Sequence, residues 1–283
     1  MADGFGAWIG RIEVAEDRVS LTQARQLAAT LDMDAVQQAA AGLADGGILP
    51  PLWHWLAWTP DAPMGRLGQD GHPERGGFLP PVPLERRMWA GGRLTFHEPL
   101  RIGATMRRRS EIVKISEKNG ANGSMVFVTV RHEIATEVGL AVTEEQDIVY
   151  VAMPDRFTPP PPVTAPPASL WDAAVPMDTV RLFRFSAVTF NAHRIHFDLD
   201  YAQHVEKYPG LVVHGPLQAI LLMEAARRNH DGARPQSYRF RGVRPLFHFD
   251  ALRLMGQAED AGVQALCTTT GDDLVCMQAE VQW

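Results

Sequence analysis

Val213-His-Gly-Pro-Leu-Gln-Ala-Ile-Leu-Leu-Met-Glu-Ala-Ala-Arg-Arg228 is the stretch that decides the fold. Pro216 suits a first helical turn, where its missing N–H would have had no intrahelical partner. Leu217, Ile220, Leu221, Leu222, Met223, Ala225 and Ala226 then cover most of the circumference, so the helix is wrapped rather than laid on a surface. Its start, His214-Gly215, lies at the mouth of a buried element. Unpaired backbone N–H groups there can stabilise negative charge developing on a carbonyl oxygen. Gly215 also lets a ligand approach the backbone closely. A plain loop glycine before a core helix is the alternative, and the segment just upstream favours the functional reading.

That segment is Phe185-Ser-Ala-Val-Thr-Phe-Asn-Ala-His-Arg-Ile-His-Phe-Asp-Leu-Asp200. An apolar run, read as a strand near 181–187, leads into Asn191, His193 and His196, and then into Asp198 and Asp200. His193 and His196 share a face if the segment is helical, and histidine is the usual proton donor or acceptor near neutral pH. Asn191 can orient a water or the substrate through its amide. His193 reads equally well as a structural, hydrogen-bonded histidine. A metal held by His193, His196 and His214 or Asp198 matches no standard zinc spacing. A Ser186-centred triad lacks the glycines of a nucleophile elbow.

The bulk properties set the frame. The chain has 283 residues, 46% hydrophobic and 21% charged, as a soluble globular protein does. A net charge of -6 argues against a sequence-independent nucleic-acid binder. Arg107-Arg-Arg109 is the nearest thing to a basic cluster and reads as a solvated strand end. No secretory signal is visible at Met1-Ala-Asp-Gly-Phe-Gly6, and no window approaches the ~20 apolar residues that cross a bilayer. The expectation is a cytoplasmic protein without a membrane partner. Cys267 and Cys276 flank a two-residue hairpin turn at Gly271-Asp272, which would set them opposite each other. Two reduced, buried thiols are the expected state.

Seven prolines crowd Pro154 to Ala168, an extended connector between unequal halves. The expected division is 1–153, a linker over 154–170, and 171–283. In the first half Ser20 caps a helix through Leu31, and Asp34 caps another to about Leu43. Trp53, Trp55 and Trp58 fall in a Gly/Pro-rich stretch over 46–83 that reads as a lid or packing flap. Strand patterns follow from Arg93, including 125–134 and 141–151, with a tight turn over Gly120 to Gly123. In the second half, strands are expected at about 237–244, 249–258, 262–270 and 273–283. A strand-like run before Pro99-Leu100 is matched by one before Pro245-Leu246, which suggests two copies of one helix-plus-meander unit.

Phe185 to Asp200, with Tyr208-Pro-Gly-Leu-Val-Val-His-Gly-Pro-Leu217, resembles the hydratase motif of MaoC-like double hotdog acyl-thioester hydratases. The likeness is nearest to the subgroup of mitochondrial-type 3-hydroxyacyl-thioester dehydratases and mesaconyl-CoA hydratases. Arg86-Arg-Met-Trp-Ala-Gly-Gly-Arg93 and Glu144-Glu-Gln-Asp-Ile-Val-Tyr150 are similar to that subgroup too. The resemblance implies an α+β double hotdog, two units each with a long helix wrapped by an antiparallel sheet. It also implies reversible addition of water to a 2-enoyl thioester, with no cofactor beyond the CoA of the substrate and no metal. In the wider family an Asp and a His five residues apart share the catalytic water. His196 matches that histidine, whereas Asn191 stands at the Asp position and cannot act as a general base. Gly215 matches the backbone donor to the thioester carbonyl.

The expected catalytic residues are therefore His196 and Asn191. The expected substrate contacts are Gly215, His214, His193, Arg194, Trp89 and Arg87. Arg86, Arg241 and Arg244 join Arg87 and Arg194 as candidate partners of a second substrate carboxylate. The partner is an acyl-CoA or acyl-carrier thioester, with a homodimer left open as the assembly. A hotdog acyl-CoA thioesterase using Asp198, Asp200 or Glu206 is one alternative, and a non-catalytic acyl-CoA-binding module is another.

Overall fold

The computed structural model describes residues 4–120 and 123–283. Its first half contributes β1 (Ile12–Asp17), β2 (Arg86–Phe96), β3 (Met106–Gly120), β4 (Gly123–Thr136) and β5 (Gly139–Val151). Its second half contributes β6 (Trp171–Val175), β7 (Ser237–Gly242), β8 (Leu252–Gly256), β9 (Val263–Thr269) and β10 (Val275–Gln282). All ten lie in one sheet in the order β1-β3-β4-β5-β2-β7-β10-β9-β8-β6. Outward from the β2–β7 joint, both halves run through the same sequence of strands, so the two units are related about that joint. The fold is the α+β double hotdog.

The joint explains Gly91-Gly92. A Cβ on Gly91 would come within 2.5 Å of the Phe240 carbonyl oxygen, and one on Gly92 within 3.0 Å of the Phe240 ring. Two glycines let β2 and β7 close up side by side.

α5 (Gly215–Arg228) is buried without interruption from Leu217 to Ala226. Its two buried polar residues have partners, as burial requires. Gln218 Oε1 accepts from Thr268 Oγ1 at 2.8 Å, and Glu224 Oε1 accepts from Trp53 Nε1 at 3.0 Å. The corresponding point of the first half departs from the expectation of a long helix in each unit. Val213 N–H donates to Leu246 O at 2.8 Å, and Leu49 N–H donates to Leu100 O at the same distance. After Val213 the chain enters α5. After Leu49 it meets Pro50-Pro51 and makes only a 3-10 turn, Trp53–Leu56. Among the described residues the long helix is thus present once, because the proline- and glycine-rich run that follows Leu49 has no helical repeat to continue it.

The tryptophans of that region are packing, not a lid. Trp53 is buried in the main core, and Trp55 and Trp58 pack against it. α1 (Leu21–Thr30) and α2 (Ala35–Ala40) carry capping boxes from Ser20 and Asp34. α2 ends three residues before the expected Leu43. The strand expected near 181–187 is instead α3 (Thr179–Val188), capped by Asp178. Leu182, Phe185 and Ser186 form its buried stripe, a helical spacing masked by the apolar residues between them.

The turn expected over 120–123 includes residues 121–122, which lie outside the described residues. The cysteine hairpin also needs correcting. Thr270 to Leu274 make the turn, with Thr270 N–H donating to Leu274 O, and a bulge follows between Val275 and Met277. Cys267 therefore sits opposite Gln278, not Cys276. Cys267 packs with Met255 and Val275, whereas Cys276 belongs to the main core. Both thiols are free and buried. The proline-rich segment is pinned along the second half, where Val163 O accepts from Val275 N–H and Pro160 O accepts from Arg244. Among the described residues no helix is long and apolar enough to cross a membrane.

Candidate active site

α3 delivers Ser186 to the interior, and Phe190 turns the chain with φ at 49°. Asn191 N–H donates back to Ser186 O at 2.8 Å, and Asn191 Oδ1 accepts from His193 N–H at 2.9 Å. One lone pair of the asparagine oxygen is thereby taken by the backbone, which leaves the second lone pair and the NH₂ without a partner among the described residues. A 3-10 turn, Arg194–His196, then leads to α4 (Leu199–His204), capped by Asp198.

His196 is buried and its orientation is set by the backbone. Its Nδ1 lies 2.7 Å from Val212 O, and a carbonyl can only accept, so Nδ1 carries the proton and Nε2 the lone pair. The ring stacks on His214 with centroids 3.6 Å apart and meets His193 edge-on at 5.3 Å. Burial, then the fields of His214 and His193, push the His196 pKa well below its usual value. It is neutral at neutral pH, the state a base needs.

His214 plays a different part from the one expected. Its Nε2 pairs with Ser186 Oγ at 2.9 Å, and its Nδ1 is sealed from solvent without a partner. Burial, with His193 adding to it, pushes its pKa down to about 3. The side chain is a neutral plate behind His196 rather than a substrate contact. The Ser186–His214 pair lacks a third group to orient the imidazole, so it does not make a triad.

His193 faces a buried ion pair. Its Nε2 lies 3.2 Å from Glu206 Oε1, and Glu206 Oε2 accepts from Arg86 Nε at 3.1 Å. Arg86 also reaches the Tyr208 hydroxyl. On its other side His193 meets His72 at 4.2 Å between centroids, and His72 Nδ1 bonds Asp70 Oδ2 at 2.9 Å. Burial outweighs the Asp70 contact and lowers the His72 pKa to about 4. Asp70 and His72 come from the first half and were missed by sequence reasoning. Asp70-Gly-His72 is a turn-like tripeptide, and nothing in it foretells that its loop docks on the second half.

Three potential ligand atoms, from Asp70, His72 and His193, lie within 4.8 Å of one another. This is the set that could hold a cation, not His193, His196 and His214. Asp198, the alternative to His214 in the expected set, is instead tied to Arg194 at 2.7 Å.

At the N-terminus of α5, Gly215 N–H has no acceptor among the described residues. A Cβ built on Gly215 would meet nothing nearer than Trp89 O at 4.0 Å. Protein packing therefore does not explain the glycine. A cleft of about 280 Å³ opens beside the site, lined by Met64, His72, Phe183, Ser186, Phe190 and Asn191 among others.

Arg194, Trp89 and Arg241 already hold protein partners. Arg194 binds Asp198 and Gln69 O and lies over Tyr201. Trp89 Nε1 donates to Gly91 O, and its ring packs on Trp55 and Phe240. Arg241 holds Gln278. Arg87, opposite Tyr150 on β5, has no carboxylate within salt-bridge distance among the described residues. Of the carboxylates a thioesterase would need, Asp198 is a cap, Asp200 is exposed beside His204, and Glu206 is buried in its ion pair.

The family model described as hydroxyacyl-thioester dehydratase type 2 matches residues 52–248. A mesaconyl-C(4)-CoA hydratase of Chloroflexus aurantiacus is 50% identical, with 89% of this chain and 88% of that protein covered. A mitochondrial hydroxyacyl-thioester dehydratase type 2 of Schizosaccharomyces pombe is 26% identical, covering 73% and 77%. Among solved structures, a MaoC-like dehydratase of Phytophthora capsici superposes with a TM-score of 0.72 at 12% identity, covering 100% of this chain and 98% of that one. A Mycobacterium tuberculosis protein described as having a double hotdog fold gives 0.59 at 14%, covering 97% and 96%.

Proposed function

The chain belongs to the hydroxyacyl-thioester dehydratase type 2 family, and we propose that it is a hydro-lyase adding water reversibly to 2-enoyl-CoA thioesters, with His196 as the base. The observation that carries this reading is the 2.7 Å contact from His196 Nδ1 to Val212 O, beside the free N-terminus of α5. It presents an imidazole lone pair at a helix end suited to a developing oxyanion.

In the hydration direction, His196 Nε2 takes a proton from water as the water oxygen bonds to C3. The C2–C3 π electrons move onto the thioester carbonyl oxygen, and the Gly215 N–H holds the resulting enolate. The imidazolium then returns the proton to C2 on the same face, so His196 ends neutral. Asn191 offers its NH₂ to the substrate or the water oxygen. No metal or redox step enters this chemistry. The Chloroflexus relative supports C4–C5 dicarboxylic acyl groups as substrates, and Arg87, which has no carboxylate within salt-bridge distance among the described residues, is the candidate partner of their second carboxylate.

A cytoplasmic location and a homodimer complete the proposal. Unbridged Cys267 and Cys276 suit a reducing compartment. Exposed Val180, Phe183 and Phe190, the last two also on the rim of the cleft, offer an apolar face for a second copy to pack against.

The test is loss of enoyl absorbance with crotonyl-, mesaconyl- and itaconyl-CoA. His196→Ala should lower kcat by about 10²- to 10⁴-fold. A kcat in His196→Ala within about 10-fold of the unmodified chain sinks the mechanism, and release of free thiol in place of hydration identifies a thioesterase.

A further inference from the structure

The geometry points to His72, held by Asp70, as a second catalytic histidine whose Nε2 accepts the other O–H of the water that attacks C3. The inference rests on the hydration reading above and deepens it.

A water activated from one side only is free to swing. It needs a second acceptor to fix its lone pair on C3. Asn191 Oδ1 already receives the His193 N–H at 2.9 Å, so only one of its two lone pairs is left for a water. His72 lines the same cleft as Asn191 and Ser186. Its Nδ1 is 2.9 Å from Asp70 Oδ2, and its own backbone N–H donates to Asp70 Oδ1 at 3.0 Å. Asp70 is held in its charged form: burial opposes this, but the hydrogen bonds from His72 outweigh it. Nδ1 is therefore the protonated nitrogen, and Nε2 keeps its lone pair. Nε2 has no partner among the described residues and is not sealed from the cleft.

The loop that carries this pair is fastened to the catalytic segment. Arg194 N–H donates to Asp70 O at 2.9 Å. Gly71 has φ at 87°, and a Cβ there would lie 1.9 Å from Ala192 O. Only glycine permits so close an approach. His72 is linked to His196 through His193, at 4.2 Å and then 5.3 Å between ring centroids.

The proton count is unchanged. Water gives one proton to His196 Nε2, which passes it to C2. The second hydrogen stays on oxygen, becomes the product hydroxyl, and remains bonded to His72. In the reverse direction His72 orients the leaving hydroxyl.

The test compares the full chain with Asp70→Asn, His72→Ala and His72→Ala/Asn191→Asp on crotonyl-CoA and mesaconyl-CoA. Asp70→Asn is isosteric, yet its NH₂ would donate to Nδ1 and move the imidazole proton to Nε2. It should lower kcat about 10²-fold with KM changed less than about 3-fold. His72→Ala should do the same, and adding Asn191→Asp should recover about 10-fold, because a carboxylate can cap His193 N–H and accept from water more strongly than the amide oxygen does. Should His72→Ala fail to fold, Asp70→Asn decides alone. A kcat within about 2-fold of the unmodified chain in Asp70→Asn overturns the inference, as does a loss in His72→Ala that Asn191→Asp does not recover. Failure of the unmodified chain on every enoyl-CoA overturns the hydration reading itself, so the two failures are distinct.

Discussion

Acidification from about pH 7.5 to about pH 5.5 should cost this fold at least about 4 kcal/mol, through three buried histidines, with the half-buried His72 adding to it. His196, His214 and His132 are each less than a tenth exposed. Burial lowers the pKa of His132 to about 4 and of His214 to about 3, and takes His196 well below its usual value. In the unfolded chain all three return to about 6.5. The unfolded state thus binds more protons, so stability is complete above about pH 6.5 and is lost as pH falls towards the folded values. At about pH 5.5 each unfolded imidazole is roughly ten-to-one protonated while its folded counterpart is neutral, a difference of about 1.4 kcal/mol per group. The depth of the folded pKa hardly matters here, because the unfolded titration sets the magnitude. At roughly 2 cal/mol/K of unfolding entropy per residue, about 4 kcal/mol over 283 residues lowers Tm by about 7 °C. Differential scanning calorimetry at the two pH values measures this. His132→Gln, which keeps a polar group near Ser110 Oγ, should remove about a third of the drop. A Tm that holds within about 2 °C, or rises on acidification, would refute the reasoning.

Two further expectations concern single positions. Gly215→Ala should leave Tm within about 2 °C, because its Cβ has 4.0 Å of clearance, yet lower kcat/KM by about 10- to 10³-fold by filling the space at the oxyanion donor; an unchanged kcat/KM removes Gly215 from the site. Burial raises the Cys267 and Cys276 thiols to about 11 and about 12, so the native protein should react with a disulfide reagent far more slowly than the same chain in denaturant. Equal rates would show that the core opens readily at β9 and β10.

Much of the site was legible because its second half is local. Ser186, Asn191, His193 and His196 lie within one short run, and Gly215 begins the helix whose apolar periphery announces itself. The misreadings were of two kinds. α3 passed for a strand because its buried stripe was hidden among other apolar residues. The first unit was expected to carry a long helix because its strands match those of the second, whereas Pro50-Pro51 stops it at one turn.

The sequence alone determined the strand repeat, the wrapped helix and the run of histidines beside its start, because periodicity, proline and residue type act over a few neighbours. Only the tertiary structure decided which nitrogen of His196 holds its lone pair, since the Val212 carbonyl does that from across the fold. It also decided that His214 is packing, and that Asp70 and His72 join a site more than a hundred residues further along the chain. Those outcomes depend on where carbonyls, rings and loops meet in space, and no spacing along the chain encodes a meeting between two halves.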